Sequence, residues 1–226
     1  MIFAGLLLGQ SGLKVDDVKV GKGPGAKNGD ILTMSYRGTL KSGKVFDETG
    51  QKAPFTFKLG AGQVIKGWDQ GLVGIKAGGK RKLTIPASLG YGDRDMGDIP
   101  PNSTLVFEVE ALRIDDPKAT PKVEIKDIKV GTGPAAGPNA AVTMHYRGTF
   151  INGVEFDKSH GRAPFTLTLG TGSVIPGFEQ GIVGMKKGGK RKVTIPYQLA
   201  YGESGRPPII PRMATLVFEL EMISFK

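Results

Sequence analysis

The chain carries one ordered set of short motifs twice, at a constant offset. Tyr36-Arg37-Gly38-Thr39 returns as Tyr146-Arg147-Gly148-Thr149, Phe46-Asp47 as Phe156-Asp157, and Gly79-Lys80-Arg81-Lys82 as Gly189-Lys190-Arg191-Lys192, each 110 residues later. Solenoid repeats run to about 20 to 50 residues, so a period this long means duplicated whole domains. The 226 residues therefore divide into two modules, each long enough to close its own apolar core. Their expected extents are residues 14–115 and 123–226, joined by residues 116–122. Pro117 and Pro121 make that joint short and stiff. The duplication also supplies an internal comparison, because residues kept in both copies can be weighed against those that differ.

Within each copy the dominant apolar period is two. Met34 and Tyr36 share one face against Ser35 and Arg37, and Met144 and Tyr146 do so against His145 and Arg147. Leu83 and Ile85 oppose Lys82 and Thr84. Near the end of each copy Leu105, Phe107 and Val109 oppose Glu108 and Glu110, as Leu216, Phe218 and Leu220 oppose Glu219 and Glu221. Such alternation predicts an antiparallel sheet with one wet face. One segment per copy has helical spacing: Val64, Trp68, Leu72 and Ile75, matched by Val174, Phe178, Ile182 and Met185. Pro176 near the start of the second is compatible with a helix N-terminus. Each module is thus predicted to be α+β, a bent antiparallel sheet covering one short helix.

Composition narrows the chemistry. With 35 Gly and 15 Pro the chain is rich in turns, while 39% apolar residues in regular runs argue against disorder. The absence of Cys removes disulfides, thiolate catalysis and Cys-ligated zinc together. A net charge of +10 attracts anions in general, but basic residues are spread through both copies among acidic ones, which favours a solvated surface over a nucleic-acid site. The apolar run Met1–Gly9 is too short to span a bilayer. Residues 1–13 read as an N-terminal extension or as the remnant of an export signal. The first reading leaves the protein cytoplasmic, and the second puts it in the periplasm or cell envelope.

Several motifs that look chemical are not. Gly74 to Lys80 and Gly184 to Lys190 fill seven places of a phosphate-binding loop, but Arg81 and Arg191 stand where a Mg²⁺-binding Ser or Thr is needed. They also lead out of a helix into a strand, the reverse of that loop's context. They are expected to be helix C-terminal turns with glycine at positive φ. The Lys-Arg-Lys clusters lead directly into strand alternation and are expected to be solvated strand entries. His145 and His160 are replaced in the first copy by Ser35 and Gly50, so no duplicated His catalyst, triad or metal site is expected.

What both copies keep beyond ordinary core residues is aromatic: Tyr36, Phe46, Phe55, Tyr91 and Phe107, with Tyr146, Phe156, Phe165, Tyr201 and Phe218. Asp47 and Asp157 each follow a Phe. Either the rings only fill the core, or they converge with Val64, Ile65 and Trp68 on an apolar pocket carrying a few polar handles.

The ordered motifs from Tyr36-Arg37-Gly38-Thr39 through Val64-Ile65-Lys66-Gly67-Trp68, Gly78-Gly79-Lys80-Arg81-Lys82, Gly90-Tyr91-Gly92 and Ile99-Pro100-Pro101 to Leu105-Val106-Phe107 resemble the FKBP family of peptidyl-prolyl isomerases. The second copy is similar through Tyr146 to Thr149, Val154 to Asp157, Val174 to Phe178, Ala200 to Gly202 and Ile209-Ile210-Pro211. The resemblance implies a curved five-stranded sheet around a short helix, with a prolyl substrate seated between them. It makes Trp68 and Phe178 the two pocket floors. Tyr36, Phe46, Phe55 and Phe107 would line the first wall, and Tyr146, Phe156, Phe165 and Phe218 the second. Asp47 and Asp157 match the family's pocket aspartate. Ile65 and Ile175 would offer a backbone N–H to a substrate carbonyl, beside Val64 and Val174, and Tyr91 and Tyr201 a hydroxyl. Ile99 in the first copy, and Ile209 and Ile210 in the second, belong to a loop over the pocket.

The resemblance further implies isomerisation of X-Pro bonds in protein folding without cofactor or metal. The implied partners are proline-containing segments of unfolded proteins and the family's macrolide inhibitors, with the chain a monomer. The competing reading is a binding module or holdase with the same pockets. The copies depart from one another in the loop, which is charged in copy one from Asp93 to Asp98 and one residue shorter, and in the floor, where Phe178 lacks an indole N–H.

Overall fold

A computed structural model describes residues 12–226, so most of the N-terminal segment assigned above to residues 1–13 lies outside the described residues. The chain divides into two compact units. The first half of the chain contains β1 (Lys14–Lys19), β2 (Ile31–Leu40), β3 (Val45–Glu48), β4 (Phe55–Lys58), α1 (Lys66–Gly71), β5 (Lys80–Ile85) and β6 (Leu105–Asp115). Its sheet has the order β1-β5-β6-β2-β3, with β4 also paired to β2. Six strands thus occupy five lateral positions, the last shared by two short strands.

The expected alternation sets the register. Tyr36 stands opposite Val109, and Gly38 opposite Phe107, in the long antiparallel β2–β6 pair. Leu105, Phe107, Val109 and Ala111 are buried, together with Leu32, Met34, Leu83 and Ile85. One face of the sheet therefore makes the core, while Glu108 on the other is exposed.

The helix is shorter than the spacing suggests, since α1 spans six residues and Val64 and Ile75 fall outside it. Six residues form too few turns to be stable alone, so α1 depends on packing. Gly67 and Gly71 bring its backbone onto β5. A Cβ added at Gly67 would stand 2.4 Å from Ile85 Cγ2, and one at Gly71 would stand 3.0 Å from Leu83 Cδ2. Gly74 and Gly78 follow with φ of 78° and 74°, in keeping with the turn expected there.

The Lys-Arg-Lys cluster requires a correction. Lys80 and Lys82 are solvated as expected, but Arg81 is only 9% exposed. Its parity puts it on the face of Leu83 and Ile85, beneath the end of α1. There its Nη1 donates to the carbonyls of Gly71 and Val73, both at 2.8 Å, and its Nε to Asp17 Oδ1 at 2.7 Å. The guanidinium thus satisfies carbonyls that a helix end leaves without an intrahelical donor.

The second unit repeats this plan. It contains β7 (Glu124–Lys129), β8 (Thr132–Ala135), β9 (Ala141–Phe150), β10 (Glu155–Lys158), β11 (Phe165–Thr168), α2 (Pro176–Ile182), β12 (Lys186–Lys187), β13 (Lys190–Ile195) and β14 (Leu216–Phe225). Its main sheet runs β10-β9-β14-β13-β7, with β11 paired to the first half of β9 and β10 to the second. The short β8 and β12 form a separate ribbon. Arg191 reproduces Arg81: its Nη1 donates to Gly181 and Val183 at 3.0 Å each, and its Nε to Asp127 at 2.6 Å. Among the described residues no helix is long and apolar enough to cross a membrane.

Candidate functional site

In the first unit the rings gather on α1. Trp68, 3% exposed, meets Tyr36 and Phe107 edge-on, each at 5.2 Å between centroids. Phe46 meets Phe107 at 5.4 Å and 84°. Edge-to-face contacts of this kind each contribute about 0.5–1.5 kcal/mol beyond area burial and fix ring orientation. Strand pairing explains the convergence, because Gly38 lies directly across from Phe107 on β6 and from Asp47 on β3. A Cβ on Gly38 would stand 2.7 Å from both Phe46 and Phe107, so only glycine lets these rings close over β2.

Polar groups line the rim. Tyr36 Oη donates to Asp47 Oδ2 at 2.5 Å. Burial first, and then this carboxylate, hold the Tyr36 pKa well above the ordinary tyrosine value, so the hydroxyl stays protonated. The Tyr36 backbone N–H donates to Thr49 Oγ1 at 3.1 Å, which pins the residue on its strand. Ile65 is the N-cap of α1, and its N–H stands before the helical ladder begins. Asp69 accepts from Gly60 and Gly62 N–H at 2.8 and 3.1 Å, holding the loop that carries Val64 and Ile65. Val64, Ile65, Tyr91 and Arg94 line a cleft of about 620 Å³.

The second unit assembles the same constellation around Phe178, which meets Phe218 at 4.9 Å, Tyr146 at 5.9 Å and Phe165 at 6.3 Å. Phe156 packs on Phe218 at 5.6 Å. Tyr146 Oη donates to Asp157 Oδ2 at 2.6 Å. Its pKa is pushed up to about 12, by burial first and then by Asp157, with Arg162 acting in the opposite direction. Ile175 is the N-cap of α2, and Val174 precedes it, half-buried.

A profile described as FKBP-type peptidyl-prolyl cis-trans isomerase matches residues 23–112 and 133–223. The chain belongs to this family. It is 58% identical over 103 residues to "FK506-binding protein 4" of Neurospora crassa, covering 46% of this chain and 22% of that protein. It is 37% identical over 199 residues to "Peptidyl-prolyl cis-trans isomerase FKBP9" of Bos taurus, covering 87% and 34% respectively. The chain therefore spans about a third or less of the length of these relatives. The crystal structure of the three FKBP domains of wheat FKBP73 aligns over 95% of each chain at 27% identity, with a TM-score of 0.43.

The two FKBP domains are not identical at their sites. Phe57 packs on Trp68 at 5.7 Å in the first, where the second has Leu167, and Phe150 packs on Phe156 at 5.1 Å where the first has Leu40. Neither ring is common to both copies, so the duplication does not single it out. Parity was the available signal, since Phe57 shares a strand face with Phe55. Phe55 itself lies on β4, 39% exposed. Tyr91 and Tyr201 lie half-buried under Arg94 and Arg206, 6.0 and 5.9 Å from guanidinium carbon to ring centre. Ile99 and Ile210 are core residues, 8% and 4% exposed, whereas Ile209 is 60% exposed. What the first loop lacks is Ile209, and Asp98 stands in its place, bridged to Lys44 Nζ at 2.8 Å.

The two histidines stack at 4.7 Å on the face of β9 opposite Tyr146, away from the ring cluster. Among the described residues no group of three or more His, Cys, Asp or Glu is arranged to hold a metal ion.

Proposed function

We propose that the protein is a peptidyl-prolyl cis–trans isomerase with two working pockets, one in residues 14–115 and one in residues 123–226. The observation that carries this reading is the duplicated cage of edge-on rings beside a protonated tyrosine hydroxyl held by a carboxylate. Rotation about an X-Pro bond breaks no covalent bond and needs no nucleophile. Its barrier is about 18–20 kcal/mol of amide resonance, and uncatalysed exchange takes tens to hundreds of seconds.

In the proposed mechanism the prolyl ring rests on Trp68 or Phe178, walled by Tyr36, Phe46, Phe55 and Phe107 or by Tyr146, Phe156, Phe165 and Phe218. The Ile65 or Ile175 N–H donates to a substrate carbonyl, and Tyr91 or Tyr201 offers a second donor. Val64 and Val174 flank these donors, and Ile209 extends the second rim, with Ile99 and Ile210 supporting the loops from below. A twisted amide has lost resonance and is less dipolar than either planar form, so a dry aromatic cage binds it better than it binds the ground states. That difference in affinity is the catalysis. Asp47 and Asp157 orient the Tyr36 and Tyr146 hydroxyls.

Proline-containing segments of unfolded proteins are the proposed substrates, and a family macrolide is expected to compete for the same cage. The test is cis-to-trans conversion of a short Leu-Pro peptide by the intact chain, with and without such a macrolide. Acceleration blocked by the macrolide supports the reading. Peptide binding without acceleration would replace it with a binding module.

A further inference from the structure

The loop segments over the two pockets carry opposite charge. In the first unit the segment between Tyr91 and Leu105 holds three aspartates, Asp93, Asp95 and Asp98, against one arginine, a net charge of −2. Asp98 is neutralised by Lys44, Asp95 accepts from the Gly97 N–H and, among the described residues, pairs with no cation, and Asp93 is exposed. Arg94 lies over Tyr91 and donates to its carbonyl at 3.2 Å. The corresponding segment of the second unit, Tyr201 to Leu216, holds Arg206 and Arg212 against Glu203, a net charge of +1. Arg206 covers Tyr201 and, among the described residues, pairs with no carboxylate.

A second element of that mouth has the same sign. Lys158 and Arg162 line a cleft of about 260 Å³ with Tyr146 and Phe165. Arg162, only loosely held by Asp157 3.8 Å away, has Lys52 as its counterpart in the first copy, so the difference in sign at this element lies at Lys158. Lys158 pairs with Glu155 at 2.9 Å, and the residue at its position in the first copy is Glu48. The opposing carboxylates of the second mouth are Asp157 and Glu155, both engaged, and Glu203, which is exposed.

Resting on the isomerase reading above, we propose that the pockets divide proline-containing substrates by charge. The second takes segments with acidic residues beside the proline, and the first takes segments with basic residues there. Aromatic cages of similar build accept the prolyl ring in both, so discrimination lies in the rim, where charge acts through solvent on encounter and orientation.

The test uses the intact chain, three peptides differing only in Glu, Leu or Lys before an Ala-Pro bond, and two charge reversals: D93K with D95K, and R206E with R212E. Turnover and binding, the latter by fluorescence anisotropy, are measured on the same peptides. The second reversal is expected to lower the Glu-to-Lys preference about two- to fivefold near 50 mM salt, and the first to raise it, with both effects fading near 0.5 M salt. The Leu peptide is expected to be turned over equally by all variants, which also reports that they fold. A preference that neither reversal moves, or that both move in one direction, overturns the proposal. If the Leu peptide is not accelerated at all, the isomerase reading falls. In that case charge-opposed binding shifts still sustain the division, and equal binding overturns it.

Discussion

Replacing Arg81 by Met keeps the length and apolar stem of the side chain but removes the guanidinium beneath α1. The native side chain is about 10% exposed and makes three hydrogen bonds. The bond to Asp17 contributes little, because that carboxylate is 51% exposed and rehydrates when released. The carbonyls of Gly71 and Val73 cannot be rehydrated as freely, since the first bond is buried and the second partly so. An unsatisfied buried acceptor costs about 1–3 kcal/mol, so two cost about 2–6 kcal/mol. Relief of the desolvated cation and better apolar packing offset a fraction of that, leaving a loss of about 2–4 kcal/mol. With a urea m-value of about 2 kcal/mol/M, the midpoint should fall by roughly 1–2 M.

Trp68 is the one tryptophan of the chain and lies in the first unit, so its fluorescence follows that unit selectively. R81M should shift the fluorescence transition, and R191M should shift only the circular-dichroism component of the other unit. R81K should recover little, because one ammonium cannot reproduce the fork. A Trp68 transition that R81M moves by less than about 0.3 M would refute the assignment of Arg81 as the terminal donor of α1.

Gly148→Ala places a Cβ 2.7 Å from the Phe156 ring and 2.9 Å from Phe218. It should cost about 1–3 kcal/mol in stability and reduce turnover in the second pocket by roughly tenfold, read from peptide kinetics alongside thermal unfolding. In an ultraviolet titration Tyr36 and Tyr146 should remain protonated at pH 11, while an ordinary tyrosine ionises near pH 10. Because the folded pKa of Tyr146 is raised, its contribution to stability is intact below about pH 10 and is lost as pH rises through about 12. Y146F should flatten that part of the pH–stability curve, and an unchanged slope would count against the assignment. Lys44→Met removes an ion pair whose side chains are 57% and 69% exposed, so the chemical-denaturation midpoint should stay at that of the unsubstituted chain.

The fold was legible because both periodicities are strong and the duplication shows which matches matter. Leu105, Phe107 and Val109 announced a half-buried strand, and the structure buries all three. The helix was legible as an apolar face but not in extent, since Val64 and Ile75 pack on the same core from outside α1. Arg81 was misread because a basic tripeptide suggests solvent, although its parity with Leu83 already pointed inward. At the site the shared rings could be read from the duplication, whereas Phe57 was legible only through strand parity, because the comparison between copies discards a residue present in only one. The bond from Tyr36 to Asp47 has no sequence signature: the two residues are 11 apart and meet through the β2–β3 pairing.

The central claim is that each ring cage accelerates X-Pro rotation. The direct measurement is cis-to-trans conversion of a Leu-Pro peptide by the intact chain and by F46A, F156A and the double variant, with circular dichroism confirming the fold. Each single substitution should remove the share of its own pocket, and the double substitution should bring the rate to the uncatalysed value. A folded double variant that retained full turnover would contradict the account.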